Sequence, residues 1–225
     1  MLKRMEKQGT SPQFVSIGNE INDGFLYPDG QISKSWEKFA ALFNSGSKAV
    51  RNALPNSKVI LHITGATSPW FDIYFDNCKK YGVDFDIIGA SWYPFWHKST
   101  AVQMRKWSEG MYARYGKKVM IMETGYPWNP TLPDGAYGQL SNNGPYQNVY
   151  PSSKEGQKNF MLEVFSEIKK SKDGCVLGDV YWDPVMIEVP GVGWELGADN
   201  VVSNTTLFDF EGHVNEVLDA YKYNN

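Results

Sequence analysis

Val59-Ile60-Leu61-His62-Ile63 is a short run of β-branched and apolar residues, and the residues after it change period. Phe71, Tyr74, Cys78 and Tyr81 recur at helical spacing, with Ser68 placed to cap the helix and Pro69 at its first position. The same couple, a short run followed by an amphipathic stretch, appears five times. Phe14-Val15-Ser16-Ile17-Gly18 precedes a turn-rich loop (Tyr27-Pro28-Asp29-Gly30) and a helix that presents Trp36, Phe39, Ala40, Phe43, Val50, Ala53 and Leu54. Asp86-Ile87-Ile88-Gly89-Ala90 leads to Met104, Trp107, Met111 and Tyr115. Lys118-Val119-Met120-Ile121-Met122 is followed by a long loop. The helix beyond it opens with Ser152 and Glu155 as a capping box and buries Phe160, Met161, Val164, Phe165 and Ile168. The fifth run is Val176 to Trp182, with a last helix carrying Val214, Val217, Leu218 and Tyr221.

Regular alternation of this kind predicts an α/β fold with a parallel sheet. The runs are apolar throughout, as strands buried on both faces require. Loops before the strands are short (Pro55-Asn56-Ser57-Lys58, Gly82-Val83-Asp84, Gly116-Lys117), whereas those after them are long and aromatic. A barrel or open sheet working at its strand C-termini produces that asymmetry. No Gly-rich fingerprint follows the first run, which argues against dinucleotide or phosphate binding.

Composition narrows the function classes. The chain has 225 residues, 42% apolar and 21% charged, with 22 Lys and Arg against 25 Asp and Glu. A net charge of −3 gives no electrostatic case for nucleic acid or anionic lipid. No apolar run approaches the roughly 20 residues of a membrane helix, so no membrane partner is expected. Cys78 and Cys175 fit neither a disulfide framework nor a metal motif. Met1 to Lys7 is charged and helix-like, without the apolar core of a signal peptide.

Glu20 follows Ile17-Gly18-Asn19, and Glu123 follows Met120-Ile121-Met122, so each is an acid at the end of a predicted strand. A carboxylate there is costly to desolvate unless it is paired or has a task. Either could simply cap a turn or pair with an arginine. Two of them, each beside aromatic residues, meet the requirement for glycoside hydrolysis, in which one acid protonates the leaving oxygen and the other attacks carbon or activates water. Aromatic residues form 15% of the chain. Six of the eight tryptophans (Trp70, Trp92, Trp96, Trp128, Trp182 and Trp194) fall on or just after strand ends, where flat apolar surfaces can pack against sugars.

Three strings carry a resemblance to a known family: Ile17-Gly18-Asn19-Glu20-Ile21, Asp86-Ile87-Ile88-Gly89-Ala90-Ser91-Trp92-Tyr93-Pro94-Phe95-Trp96-His97, and Met122-Glu123-Thr124-Gly125-Tyr126-Pro127-Trp128. They resemble the arabinogalactan endo-β-1,4-galactanases, glycoside hydrolase family 53 of the retaining clan A. Tyr181-Trp182-Asp183-Pro184 is similar to that family's last strand, and Leu207-Phe208-Asp209-Phe210 to its closing segment. The resemblance implies a (β/α)8 TIM barrel, with residues 1–225 as the C-terminal part of the catalytic domain, roughly strands four to eight. It implies Glu20 as acid/base and Glu123 as nucleophile. Asn19 would hold the sugar hydroxyl next to the reacting carbon, and Tyr93 would hydrogen-bond near the nucleophile. Trp96, His97 and Trp128 would line the groove and Trp182 its floor, so that Trp96, Trp128 and Trp182 are expected partly exposed on the face that carries the two glutamates. The expected substrate is β-1,4-galactan or arabinogalactan, the side chain of pectin, cleaved within the chain with retention. The two carboxyls then need different environments, one protonated and one ionised at rest.

The chain departs from the family pattern. Lys98 stands where Gly usually follows the His, and Asp183 where Glu is usual. The loop from Asn129 to Tyr150 lacks the acid-rich string that binds calcium in some relatives; Asp134 alone is a weak ligand set, and His62, His97 and His213 have no zinc-like spacing. No metal and no cofactor is expected. Five predicted strands leave strands one to three, with the clan's strand-two Arg, without a counterpart, and Met1-Leu2-Lys3-Arg4-Met5 looks like the preceding helix interrupted. Open edges at the first and fifth runs are then expected to drive self-association. The full-length parent is expected to be secreted or periplasmic, although this chain shows no signal peptide. The competing readings are another clan A hydrolase, of cellulase or mannanase type, and an inactive carbohydrate-binding barrel fragment.

Overall fold

Runs of β-branched and apolar residues pair edge to edge while the amphipathic stretches between them coil and cover the sheet. A computed structural model describes residues 1–140, 144–193 and 200–222. After a short helix α1 (Leu2–Lys7), strands β1 (Phe14–Ser16), β2 (Lys58–Thr64), β3 (Ile87–Ser91), β4 (Val119–Thr124) and β5 (Val176–Tyr181) alternate with helices α2 (Trp36–Ala53), α3 (Trp70–Lys80), α4 (Pro94–His97), α5 (Ala101–Tyr115), α6 (Lys154–Lys169) and α7 (Leu218–Lys222). The strands form one parallel sheet in sequence order, β1-β2-β3-β4-β5. Each expected strand is present within two residues of its predicted bounds.

Helix boundaries follow local chemistry more closely than the sequence reading did. Ser153, not Ser152, caps α6: its hydroxyl accepts from the Gly156 N–H at 3.0 Å. In α3 the cap position is Pro69, and no side chain caps it; Ser68 contributes only its carbonyl, to the Phe71 N–H. The last helix is short because Val214 pairs with Phe208 in an antiparallel bridge instead of joining it.

The chain divides into two units. The first comprises Met1–Ser91, Trp107–Met122 and Cys175–Leu177. Here β2 pairs with β1 through Val15↔Val59 and with β3 through His62↔Gly89 and Thr64↔Ser91. Val59, Leu61 and Ile63 are fully buried, as are Phe39 and Phe43 of α2 and Phe71 and Phe75 of α3. Trp36 stacks on Tyr81 with ring centroids 5.9 Å apart, and Trp107 meets Phe71 edge-on at 4.9 Å. At the end of α2, Arg51 clasps Asp84 at 2.7 Å and Asp86 at 3.2 Å. Asp86 also accepts from the Val59 N–H at 2.8 Å, which ties this ion pair to the start of β2.

The second unit comprises Trp92–Lys106, Glu123–Gly174 and Gly178–Asn225. Its centre is aromatic: Phe160 stacks on Tyr126 at 4.1 Å and on Trp92 at 5.9 Å. The buried Tyr181 hydroxyl donates to Thr205 O at 2.6 Å and accepts from the Tyr126 N–H at 3.0 Å. On α6 the fully buried Gln157 shares its two amide N–H groups among that hydroxyl and the Tyr126, Thr205 and Thr206 carbonyls, all within 3.2 Å of Nε2. One amide therefore anchors the strand ends to the returning loop.

Two outcomes follow. A methyl group at Gly89 would lie 2.7 Å from Ile60 Cγ2, 2.8 Å from Met122 Cγ and 3.1 Å from the His62 backbone. Gly89→Ala should therefore cost roughly 1–3 kcal/mol of stability, read as a lower urea midpoint; an unchanged midpoint would show that β3 has room for a side chain. The second concerns Asp179, whose Oδ2 is sealed from solvent without a hydrogen-bond partner. Burial raises its pKa from 3.8 to about 6. A carboxyl raised in this way contributes most to stability below its unfolded value and loses that contribution as pH rises through 6. The stability gained by Asp179→Asn should grow by roughly 2 kcal/mol between pH 4.5 and pH 7.5, and a gain that is constant with pH would contradict it.

Candidate active site

Glu20 owes its position to two residues in the left-handed region. Gly18 has φ +79°, and a side chain there would run into Ile21; Glu20 itself has φ +47°. For a residue with a Cβ that conformation is unfavourable and persists only where the surroundings fix it. They do so on both sides. The Ile21 N–H donates to His62 O at 2.9 Å, and the Asn22 side chain brackets Thr64, donating to its carbonyl at 3.1 Å and accepting from its N–H at 2.9 Å. The carboxylate is fixed as well: Ser91 Oγ donates to Glu20 Oε1 at 2.6 Å, the short separation of a charge-assisted hydrogen bond. His62 Nε2 lies 2.8 Å from the same Ser91 Oγ. Both Ser91 and His62 are buried, and burial lowers the pKa of His62 from 6.5 to about 4, partly opposed by the charge of Glu20. Asn19, beside Glu20, is exposed.

In the second unit Glu123 is half-buried at the end of β4 and accepts from the Tyr93 hydroxyl at 3.1 Å. Two features hold Tyr93 in place. Pro94 at the first position of α4 turns the chain immediately after it, and the Tyr93 N–H donates to His97 Nδ1 at 2.9 Å. With Nδ1 an acceptor, neutral His97 carries its proton on Nε2. Trp96 packs edge-on against Tyr93 at 4.7 Å yet keeps 41% of its surface exposed. Lys98 ends α4 with φ +49°, a left-handed cap that glycine adopts at no steric cost. Trp182 is 43% exposed, and its N–H donates to Thr124 O at 2.8 Å. A side chain at Gly125 would meet Trp182 O at 2.6 Å and the Tyr93 ring at 3.3 Å, so this glycine permits the close approach of the next strand.

Trp128 corrects an expectation. Instead of presenting a face to a groove, it is only 7% exposed, with its indole N–H donated to Ser203 O at 3.1 Å and its ring 4.5 Å from Phe210. The segment that follows β5 folds back over it. Trp92 is likewise a core residue, fully buried with its indole N–H on Ser99, so position after a strand overstates exposure. Trp194 lies outside the described residues. The reading of the sequence also passed over Ser91 and His62, which stand inside apolar runs; a polar residue within such a run is the signal that could have found them. Asp209, Glu211 and His213 offer three ligand atoms within 4.8 Å of one another. Asp209, however, is already engaged by Lys154 at 2.8 Å and by the N–H groups of Glu211 and His213.

Comparison with known proteins now bears on this arrangement. The model of glycosyl hydrolase family 53 matches residues 1–221. The endo-β-1,4-galactanase of Bacillus subtilis is 31% identical over 253 residues, covering 99% of this chain and 57% of that enzyme. The arabinogalactan endo-β-1,4-galactanase of Cellvibrio japonicus is 31% identical over 194 residues, covering 83% of this chain and 50% of that enzyme. Among solved structures, the family 53 catalytic domain of Ignisphaera aggregans superposes with a TM-score of 0.88 at 33% identity, covering 98% of this chain and 61% of that one. The chain thus spans about half to two thirds of the length of these relatives. Its five strands are those of the α/β (β/α)8-barrel class, roughly the fourth to the eighth. Because the family model matches residues 1–221, this chain belongs to glycosyl hydrolase family 53.

Proposed function

We propose that this chain carries the acid/base and the nucleophile of a retaining endo-hydrolase of β-1,4-galactosidic linkages in galactan or arabinogalactan. One observation carries the reading: in a family 53 chain, both motif glutamates stand at the C-terminal ends of strands, each with a hydroxyl donor on one carboxylate oxygen, Ser91 on Glu20 and Tyr93 on Glu123. In the first step Glu123 attacks the anomeric carbon while Glu20 protonates the departing glycosidic oxygen. In the second, water attacks the glycosyl–enzyme ester, Glu20 takes its proton and Glu123 leaves as carboxylate. The Tyr93 hydroxyl fixes the orientation of the nucleophile. Asn19 binds a sugar hydroxyl, Trp96 and Trp182 offer exposed faces to sugar rings, and His97 lines the groove. Trp128 acts from behind, supporting the wall rather than touching sugar.

By the same reading, residues 1–225 are the C-terminal part of a (β/α)8 catalytic domain, and the parent protein works outside the cytoplasm, where polysaccharide is met.

Glu123→Ala should abolish release of reducing ends from galactan. Glu20→Ala should lose about 10²–10⁴-fold on galactan but still cleave an activated aryl galactoside, whose leaving group needs no proton. The first product should keep the β configuration by NMR. Wild-type turnover by Glu123→Ala would refute the assignment, and galactan binding without turnover by the unmodified chain would favour a carbohydrate-binding role.

The two tryptophans separate by what they lose. Trp96→Ala should weaken binding of long galactan by roughly 0.5–1.5 kcal/mol at unchanged thermal stability. Trp128→Ala should cost about 3–5 kcal/mol of stability, as truncation of a buried aromatic residue does. The reverse pattern would overturn the exposures assigned to them.

A further inference from the structure

We propose that Ser91 and His62 are positioning residues that decide which oxygen of Glu20 carries the catalytic proton, an inference that rests on the acid/base role proposed for Glu20. The Ser91 hydroxyl carries a single proton. At 2.6 Å from Glu20 Oε1 that proton points at the carboxylate, so Ser91 Oγ is left to accept from His62 Nε2 at 2.8 Å. His62 must therefore be the tautomer with its proton on Nε2. The chain of donors runs one way: His62 Nε2–H to Ser91 Oγ, and Ser91 O–H to Glu20 Oε1.

This direction holds in both states of Glu20. When Glu20 is ionised, Oε1 accepts as a carboxylate oxygen. When it is protonated, Oε1 accepts as a carbonyl oxygen and the proton is directed to Oε2, the atom that serves the leaving group. Neither state requires the chain to reverse, so proton donation and recovery both occur at Oε2. His62 must also stay uncharged, because an imidazolium two hydrogen bonds away would hold Glu20 ionised and deprive it of its acid form. Its burial, with Glu20 the charged group that acts on it, keeps it neutral. Gly89, directly opposite His62 in the strand pairing, has no side chain to block the ring from reaching Ser91 two residues further on.

The experiment is NMR on the full chain. Two-bond ¹H–¹⁵N correlation should show His62 neutral with its proton on Nε2 from pH 5.5 to pH 8. Carboxyl-¹³C glutamate labelling should show the Glu20 titration midpoint rise by about one pH unit in Ser91→Ala, because the carboxylate loses a donor. His62→Gln, whose amide can still donate to Ser91, should leave that midpoint close to wild type. His62 found protonated on Nδ1 or charged, or a Glu20 titration unmoved by Ser91→Ala, would overturn the proposal. On galactan, the basic limb of the kcat/KM profile should move with the carboxyl in Ser91→Ala. A limb that stays in place while the carboxyl titration moves would count against the catalytic reading of Glu20 and leave the hydrogen-bond chain intact.

Discussion

The register of β2 against β3 is the constraint on which the Glu20 arrangement depends. Pairing His62 with Gly89 and Thr64 with Ser91 turns His62 and Ser91 to the same face of the sheet. A slip of β2 by one residue would turn His62 to the opposite face and away from Ser91, while apolar side chains such as Leu61 and Ile63, now fully buried, would take its place. On the other edge of β2, its pairing with β1 delivers the His62 carbonyl to the Ile21 N–H and the Thr64 backbone to Asn22, the contacts that fix Glu20 in its left-handed conformation. Backbone pairing thus comes first, and the placement of the carboxylate is its consequence.

Around Glu123 the controlling feature is the absence of side-chain volume at Gly125. Because Trp182 O and the Tyr93 ring both approach that position, the end of β4 can sit close to the residue after β5 and to its own hydrogen-bond donor. Tyr93 is held from the other side by His97 and by the short helix α4, which ends on a strained non-glycine cap at Lys98. The usual glycine would be conformationally easier there. In return, Lys98 places its ammonium 4.8 Å from the Phe95 ring centroid, a cation–π contact that offsets part of the difference.

Periodicity made the βα alternation legible, because a parallel sheet covered by helices calls for apolar runs and 3.6-residue stripes. Glu20 and Glu123 were legible because an acid at the end of an apolar run is costly without a task. What the sequence could not convey was the path of long loops. Trp128 read as a groove residue because it follows a strand, yet Ser203 and Phe210, about 75 and 82 positions beyond it, fold over it. Burial by a distant segment leaves no local trace. Ser91 and His62 were passed over for the opposite reason, since a lone polar residue in an apolar run gives no sign of its partner until the strand register is known.

His62 and Asp179 show how buried ionisable groups can coexist without a visible cost. His62, lowered to about 4, contributes stability above the ordinary histidine value of 6.5 and loses it as pH falls toward 4. Asp179, raised to about 6, has the opposite sign and weakens the fold as pH rises through the same window. Between pH 4 and 6 the folded chain therefore takes up fewer protons than the unfolded chain at His62 and more at Asp179. The two slopes offset each other, and a shallow stability profile conceals two desolvated groups. Of these, Asp179 has a sealed oxygen without a partner, whereas His62 spends its hydrogen bond on Ser91 and, through it, on the carboxylate proposed to do the chemistry. The desolvation of His62 is thus tied to a functional arrangement, and that of Asp179 has no such tie in the contacts around it.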